Sequence, residues 1–218
     1  MELLLTAVFA ICVLVTVLYM RAQKPQTNIQ SLIHQERYAE AISEAARVIG
    51  SKPDDAGIRI HRAEAAKLMG DFEEALRSYR DAMRVDEKDP SSREGVALCL
   101  TYLDRQPDQA RIMMEETIAG FPAIQEFQAL ALAYILLEQN RKEEALRLFD
   151  DNLVLLQTRF EIDYTDRDPL LAETLYHFSV LSEARGETAA ASALRARVRD
   201  WAPRSIFSAW TVEDESKA

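Results

Sequence analysis

Glycine is scarce in this chain, with six among 218 residues. No GxSxG, Walker or GxGxxG motif occurs, so nothing announces a nucleophile elbow or a phosphate-cradling loop. Cysteine is scarcer still. Cys12 falls inside an apolar run and Cys99 on an apolar helical face, and no CxxC pair exists. An intramolecular disulfide and a zinc or redox site are therefore not expected, and cysteine usage says nothing about compartment. The three histidines, His34, His61 and His177, lie far apart, and none has a His or Cys at ligand spacing. Glu173 and His177, four positions apart, read as a surface pair on a helix. The acidic stretch EIDYTDRDP, 161–169, lacks the glycine turn and closing glutamate of a calcium loop. Twenty-six basic residues against 36 acidic ones leave a net charge of −10 and no basic stripe, which argues against nucleic acid. The expectation is a protein that is not an enzyme and takes no cofactor, metal or small-molecule substrate.

Charge is absent altogether from Leu3 to Met20, LLLTAVFAICVLVTVLYM. At 1.5 Å rise per residue these 18 positions span about 27 Å, enough for a hydrocarbon core. No basic residue precedes the run and no small-x-small site follows it, so a retained membrane anchor over 1–22 fits better than a cleaved signal. Ile11 before Cys12 disfavours a lipoprotein signal. Arg21 and Lys24 follow the span and Glu2 precedes it. The positive-inside rule then places the remaining chain in the cytoplasm, on a single-pass protein of the inner membrane.

What the chain does have is a period. Tyr38-Ala39-Glu40-Ala41 recurs as Phe72-Glu73-Glu74-Ala75, 34 residues on. Alanines follow at Ala110 and Ala145, each 35 further, and at Ala191. Pro53, Pro122 and Pro203 each stand 12 residues after such an alanine, as stops before the next unit. The clearest unit runs from Ala56 to Pro90. Its first helix should cover about 56–69, ended by Gly70. Its second should start near Phe72 and bury Ala75, Leu76, Tyr79, Ala82 and Met83 on one stripe. The step from Ala145 to Ala191 is 46, and the excess is expected as a longer helix through 153–157 followed by an acidic loop.

Ala63, Gly70, Phe72, Ala75, Tyr79 and Ala82 resemble the tetratricopeptide repeat (TPR) pattern. Arg59 and Arg62 stand where that pattern has Trp and Leu, and Glu87 replaces its terminal Pro. The resemblance covers about 28–203. Taken with the apolar run, it gives an all-α fold as the expectation: an N-terminal transmembrane helix, then a right-handed α-solenoid of about five TPR-like helix pairs over 23–203, and a tail over 204–218.

The resemblance also implies an inner groove lined by the first helix of each pair. Its register places there Ile60, Glu64 and Lys67; Leu98, Thr101 and Tyr102; Phe127, Leu130, Tyr134 and Leu137; Tyr176 and Val180. These residues form either a partner-binding groove or core under the tail or the next helix. Lys and Asn, which clamp a chaperone's terminal carboxylates in some relatives, are missing where Ile60, Glu64, Glu94 and Leu98 stand. In the tail, Ile206, Phe207 and Trp210 either cap the solenoid or form a peptide that docks on a partner. The implied function is a membrane-anchored scaffold or assembly factor. Its partners would be other proteins, met through a peptide segment or as subunits of a membrane complex. The layout is similar to lipopolysaccharide assembly protein B, without its metal-binding end. An outward-facing chaperone for an unfolded client, as in cytochrome c biogenesis, and a permanent accessory subunit are the alternatives.

Overall fold

The computed structural model describes residues 26, 28–121, 125–162 and 167–217. The apolar run 3–20, and with it the expected anchor 1–22, lies outside them. Among the described residues no helix is long and apolar enough to cross a membrane, and every regular element is helical.

Among the described residues ten helices form five antiparallel pairs. They are α1 (28–34) with α2 (Tyr38–Ile49), α3 (Ala56–Leu68) with α4 (Phe72–Val85), and α5 (Pro90–Tyr102) with α6 (Pro107–Gly120). Then come α7 (Gln125–Glu138) with α8 (Lys142–Ile162), and α9 (Ala172–Arg185) with α10 (Thr188–Trp201). A 3₁₀ turn, Pro169–Leu171, leads into α9, and α11 (Ile206–Lys217) ends the chain.

The turn inside each pair is the same object five times. A residue with positive φ sits at Glu36, Gly70, Asp104, Asn140 and Gly186. The next residue sends its N–H back to a carbonyl five positions earlier. These bonds run Arg37 to Leu32 (2.9 Å), Asp71 to Ala66 (2.9 Å), Arg105 to Leu100 (2.8 Å), Arg141 to Leu136 (2.9 Å) and Glu187 to Ser182 (2.8 Å). This is the left-handed helix ending that satisfies the last carbonyls of one helix while reversing the chain. Helix starts are set as locally. Asp55, Asp71 and Asp89 accept from the N–H of Ile58, Glu74 and Ser92 (3.1, 3.0 and 2.6 Å), and Pro90 and Pro107 occupy first helical positions.

The repeated alanines, Ala41, Ala75, Ala110, Ala145 and Ala191, are all fully buried. A methyl group at that position lets the two helices of a pair approach closely while larger neighbours fill the gaps. The expected insertion is a 21-residue α8, which carries the chain through 153–157 as one helix.

The first helices of successive pairs, α3, α5, α7 and α9, pack on one another along the inner face. The superhelix winds tightly enough to bring its ends together. His34 lies 3.5 Å from Asp168, and the Arg204 N–H donates to the Glu36 carboxylate at 2.7 Å.

Candidate functional site

At the centre of the inner face four helices contribute to one polar chain. The Lys67 ammonium (α3) pairs with the Glu173 carboxylate (α9). The Tyr102 hydroxyl (α5) lies 2.7 Å from Glu173 Oε1 and 2.6 Å from His177 Nε2. Tyr134 (α7) stacks on the His177 ring with centroids 3.9 Å apart. The proton arrangement that satisfies every member has His177 Nε2–H donating to the Tyr102 oxygen while Tyr102 O–H donates to Glu173.

The electrostatics agree with that order. Burial pushes His177 down to about 4, against the pull of Glu173, so the ring is neutral near pH 7. Burial works to raise Glu173, but Lys67, His177 and the Tyr102 hydroxyl outweigh it and hold the carboxyl below its usual range. Lys67 stays charged because Glu173 overrides the burial that would lower it. Glu94, one turn from Leu98, is pushed up to about 7 by burial, with Glu173 adding to the effect. Burial raises the Cys99 thiol to about 12, so it remains unreactive at neutral pH. Hydrogen bonds and the ion pair join α3, α5 and α9, and the Tyr134 ring adds α7 by stacking, which makes the arrangement a structural bolt across four helices.

Glu173 and His177 therefore do not form a surface pair. They are 7 % and 2 % exposed, because α9 is buried on nearly all sides by α7, α10 and α11. Spacing alone marks two residues as neighbours on a helix. It does not say whether a further helix covers them.

The tail forms α11, which lies in the groove. Phe207 is fully buried and Ile206 packs over Gly70. Trp210 meets the rings of Tyr102 (5.5 Å), Tyr176 (5.5 Å) and Phe72 (5.6 Å). The Tyr176 hydroxyl donates to Asp214 at 3.2 Å. Of the residues that repeat register placed in the groove, Leu98, Leu130, Tyr134 and Tyr176 are buried, while Ile60, Lys67, Tyr102 and Phe127 are half-buried. Glu64 is tied to His61 Nδ1 at 2.9 Å, and that contact raises the imidazole's proton affinity against the burial that would lower it. Ile206, Phe207 and Trp210 are all engaged within the chain.

A cleft of about 700 Å³ remains beside α11. Its floor is aromatic, from Tyr102, Tyr134, Tyr176 and Trp210. Its rim carries Asp104, Asp108, Glu138, Glu213 and Asp214, with Arg105 and Arg141. Sequence reasoning reached Tyr102, Tyr134 and Tyr176 through repeat register and Trp210 through the apolar tail. It missed Glu138, whose signal was a carboxylate closing the mostly apolar run 127–137, and Asp214, whose acidic run gave no direction. Among the described residues no group of three His, Cys, Asp or Glu side chains is placed to hold a metal ion.

No family model matches the sequence, and no curated protein matches it. The fold does match solved structures. PilW, described as a widely conserved type IV pilus biogenesis factor, superimposes with a TM-score of 0.57 at 15 % identity, over 85 % of this chain and 95 % of that one. A kinesin light chain-type protein of Podosopora anserina with nearly identical TPR-like repeats gives 0.55 at 14 %, over 83 % and 94 %. MamA gives 0.51 at 11 %, over 87 % and 97 %. These likenesses establish the fold of the described residues as a TPR-like α-solenoid.

Proposed function

We propose that the chain is a membrane-anchored scaffold or assembly factor that holds partner proteins at the inner membrane. Residues 1–22 form its single span, and the solenoid lies in the cytoplasm. It performs no catalysis. The observation that carries this reading is the aromatic and acidic cleft that α11 leaves open on the inner face of a TPR-like solenoid. Helical repeats of this kind present extended inner faces to other proteins. Anchoring would add a high effective concentration of any partner tethered to the same membrane. The charge-free run 3–20 followed by Arg21 and Lys24 supports the anchor and its orientation.

The test combines topology with capture. A reporter fused after Ala218 reads the side of the membrane, and crosslinking of the full-length protein in its membrane identifies neighbours. A cytoplasmic reporter, with crosslinks lost on Tyr102→Ala or Tyr134→Ala, is the expected result. A reporter active on the outer side would overturn the cytoplasmic assignment and put an outward-facing client chaperone first. A permanent accessory subunit is the second reading, favoured by the exposed Val154 and Leu155 on α8 (73 % and 57 %). It predicts a protein that is unstable when expressed alone.

A further inference from the structure

The cleft's charges are unequally satisfied. Both of its guanidiniums are engaged by carboxylates outside its lining: Arg105 pairs with Glu73 and Arg141 with Glu144, each at 2.6 Å. Two carboxylates of the rim, Glu138 and Asp214, have weaker company. Glu138 accepts from the Tyr134 hydroxyl and Asp214 from the Tyr176 hydroxyl. Neither makes an ion pair among the described residues. The two also repel one another, and together with burial that repulsion raises the proton affinity of Glu138. Two carboxylates sharing one space stabilise a cation placed between them.

The walls have the matching chemistry. Tyr134 and Tyr176 meet at 6.3 Å, Tyr176 and Trp210 at 5.5 Å, so three electron-rich faces and edges border the carboxylate pair. Aromatic surface attracts a cation most strongly where the site is partly desolvated. A planar, weakly hydrated guanidinium suits such walls better than a compact ammonium, and its fork can satisfy two carboxylates at once.

We propose that this cleft is a recognition pocket for one arginine side chain on an extended segment of a partner protein. Trp210 offers its ring to the guanidinium, Tyr134 and Tyr176 border it with their edges and hydroxyl ends, and Glu138 and Asp214 receive its N–H groups. The pocket is composite: the solenoid supplies one side and α11 the other, so α11 completes the site. The identity of the ligand as a protein segment rests on the scaffold reading above; the arginine preference rests on the cleft alone.

The test uses the full chain in mild non-ionic detergent. The probe is the pentapeptide acetyl-Ala-Ala-Arg-Ala-Ala-amide carrying a fluorophore, against the same peptide with citrulline, which keeps the shape and removes the charge. Fluorescence anisotropy reads affinity, and the Trp210 indole N–H resonance reads location. The arginine peptide is expected to bind at least about tenfold more tightly than the citrulline peptide. It should shift the Trp210 resonance and weaken as sodium chloride rises from about 50 to 500 mM. Glu138→Gln should remove most of that preference; glutamine keeps the shape of glutamate at the last residue of α7, so the fold tolerates the change. Asp214→Asn should do the same. Equal affinity for the two peptides, an unmoved Trp210 resonance, or full preference in Glu138→Gln would overturn the proposal. Membrane crosslinks without an arginine preference would leave the scaffold and remove the pocket; arginine preference without crosslinks would do the reverse.

Discussion

Lys67 and Glu173, 106 positions apart, form an ion pair whose side chains are only 11 % and 10 % exposed. It joins the second repeat to the fifth across the inner face, and it is not a surface ornament. Removing one partner of a buried pair strands the other charge, at a cost of about 3–5 kcal/mol. Lys67→Met should therefore lower the urea midpoint sharply. Lys67→Met with Glu173→Met, which leaves no stranded charge, should recover part of the loss. A double variant as unstable as the sum of the two single ones would show that the pair is not coupled.

Gly95 lies in the interior of α5, where alanine ordinarily gains roughly 1 kcal/mol over glycine. Here the sign should reverse. A Cβ on Gly95 would run into the ring of Tyr79, which is 2 % exposed and packed between α4 and α5. Gly95→Ala should destabilise by about 1–3 kcal/mol through overpacking. Thermal unfolding followed by circular dichroism reads the change, and a rise in midpoint would contradict the contact.

The five left-handed turns offer a paired comparison. Asp104 occupies such a turn at φ 50° without the freedom that Gly70 and Gly186 have. Asp104→Gly should relieve strain and stabilise by about 0.5–1 kcal/mol. Glu36 occupies the equivalent place at φ 55°, but its carboxylate accepts from the Arg204 N–H at 2.7 Å. Glu36→Gly should show no such gain, because the same change releases the start of the tail. Matched urea titrations of the two variants decide it, and equal gains would dismiss the Glu36–Arg204 bond as a contributor.

Glu94 should impose a pH dependence that Glu94→Gln removes. Its carboxyl rises from an ordinary 4.5 to about 7 in the folded chain, chiefly through burial. The folded state then holds more protons than the unfolded one between those values. Stability from this group is complete below pH 4.5 and is lost as pH climbs through about 7. His177 acts in the opposite sense. Its value falls from 6.5 to about 4, so its contribution is lost as pH falls through that interval. The wild-type profile mixes both, and the difference between variant and wild type isolates Glu94. Melting temperatures should coincide near pH 4.5 and diverge above pH 7 in favour of Glu94→Gln. A gap that does not vary with pH would contradict the assignment.

The repeats were legible because they are local. Alanine, aromatic and proline at fixed offsets report close helix packing, a filled gap and a helix stop, each decided within about 35 residues. The boundaries of α3 and α4, and the long α8, follow from the same signals. The turn at Asp104 was less visible, since aspartate tolerates positive φ without announcing it as glycine does. What the sequence concealed is what closes across the groove. Nothing near Glu173 names Lys67, and nothing near Trp210 names Phe72, Tyr102 or Tyr176. Tail hydrophobicity said that Ile206, Phe207 and Trp210 need cover, but not whose. The cleft followed neither from period nor from composition, because its two sides come from the solenoid and from a helix beyond the last repeat.

A stack of repeats ordinarily melts piecemeal, since each unit leans only on its neighbours and the ends fray first. The bond from Glu36 to Arg204 changes that behaviour. With the turn between α10 and α11 fastened to the first turn, neither end can unravel without releasing the other. The chain should then lose its structure in one cooperative step, with amide exchange in α2 as slow as in α10. Pulled from either end, the solenoid would thereby resist stepwise unwinding.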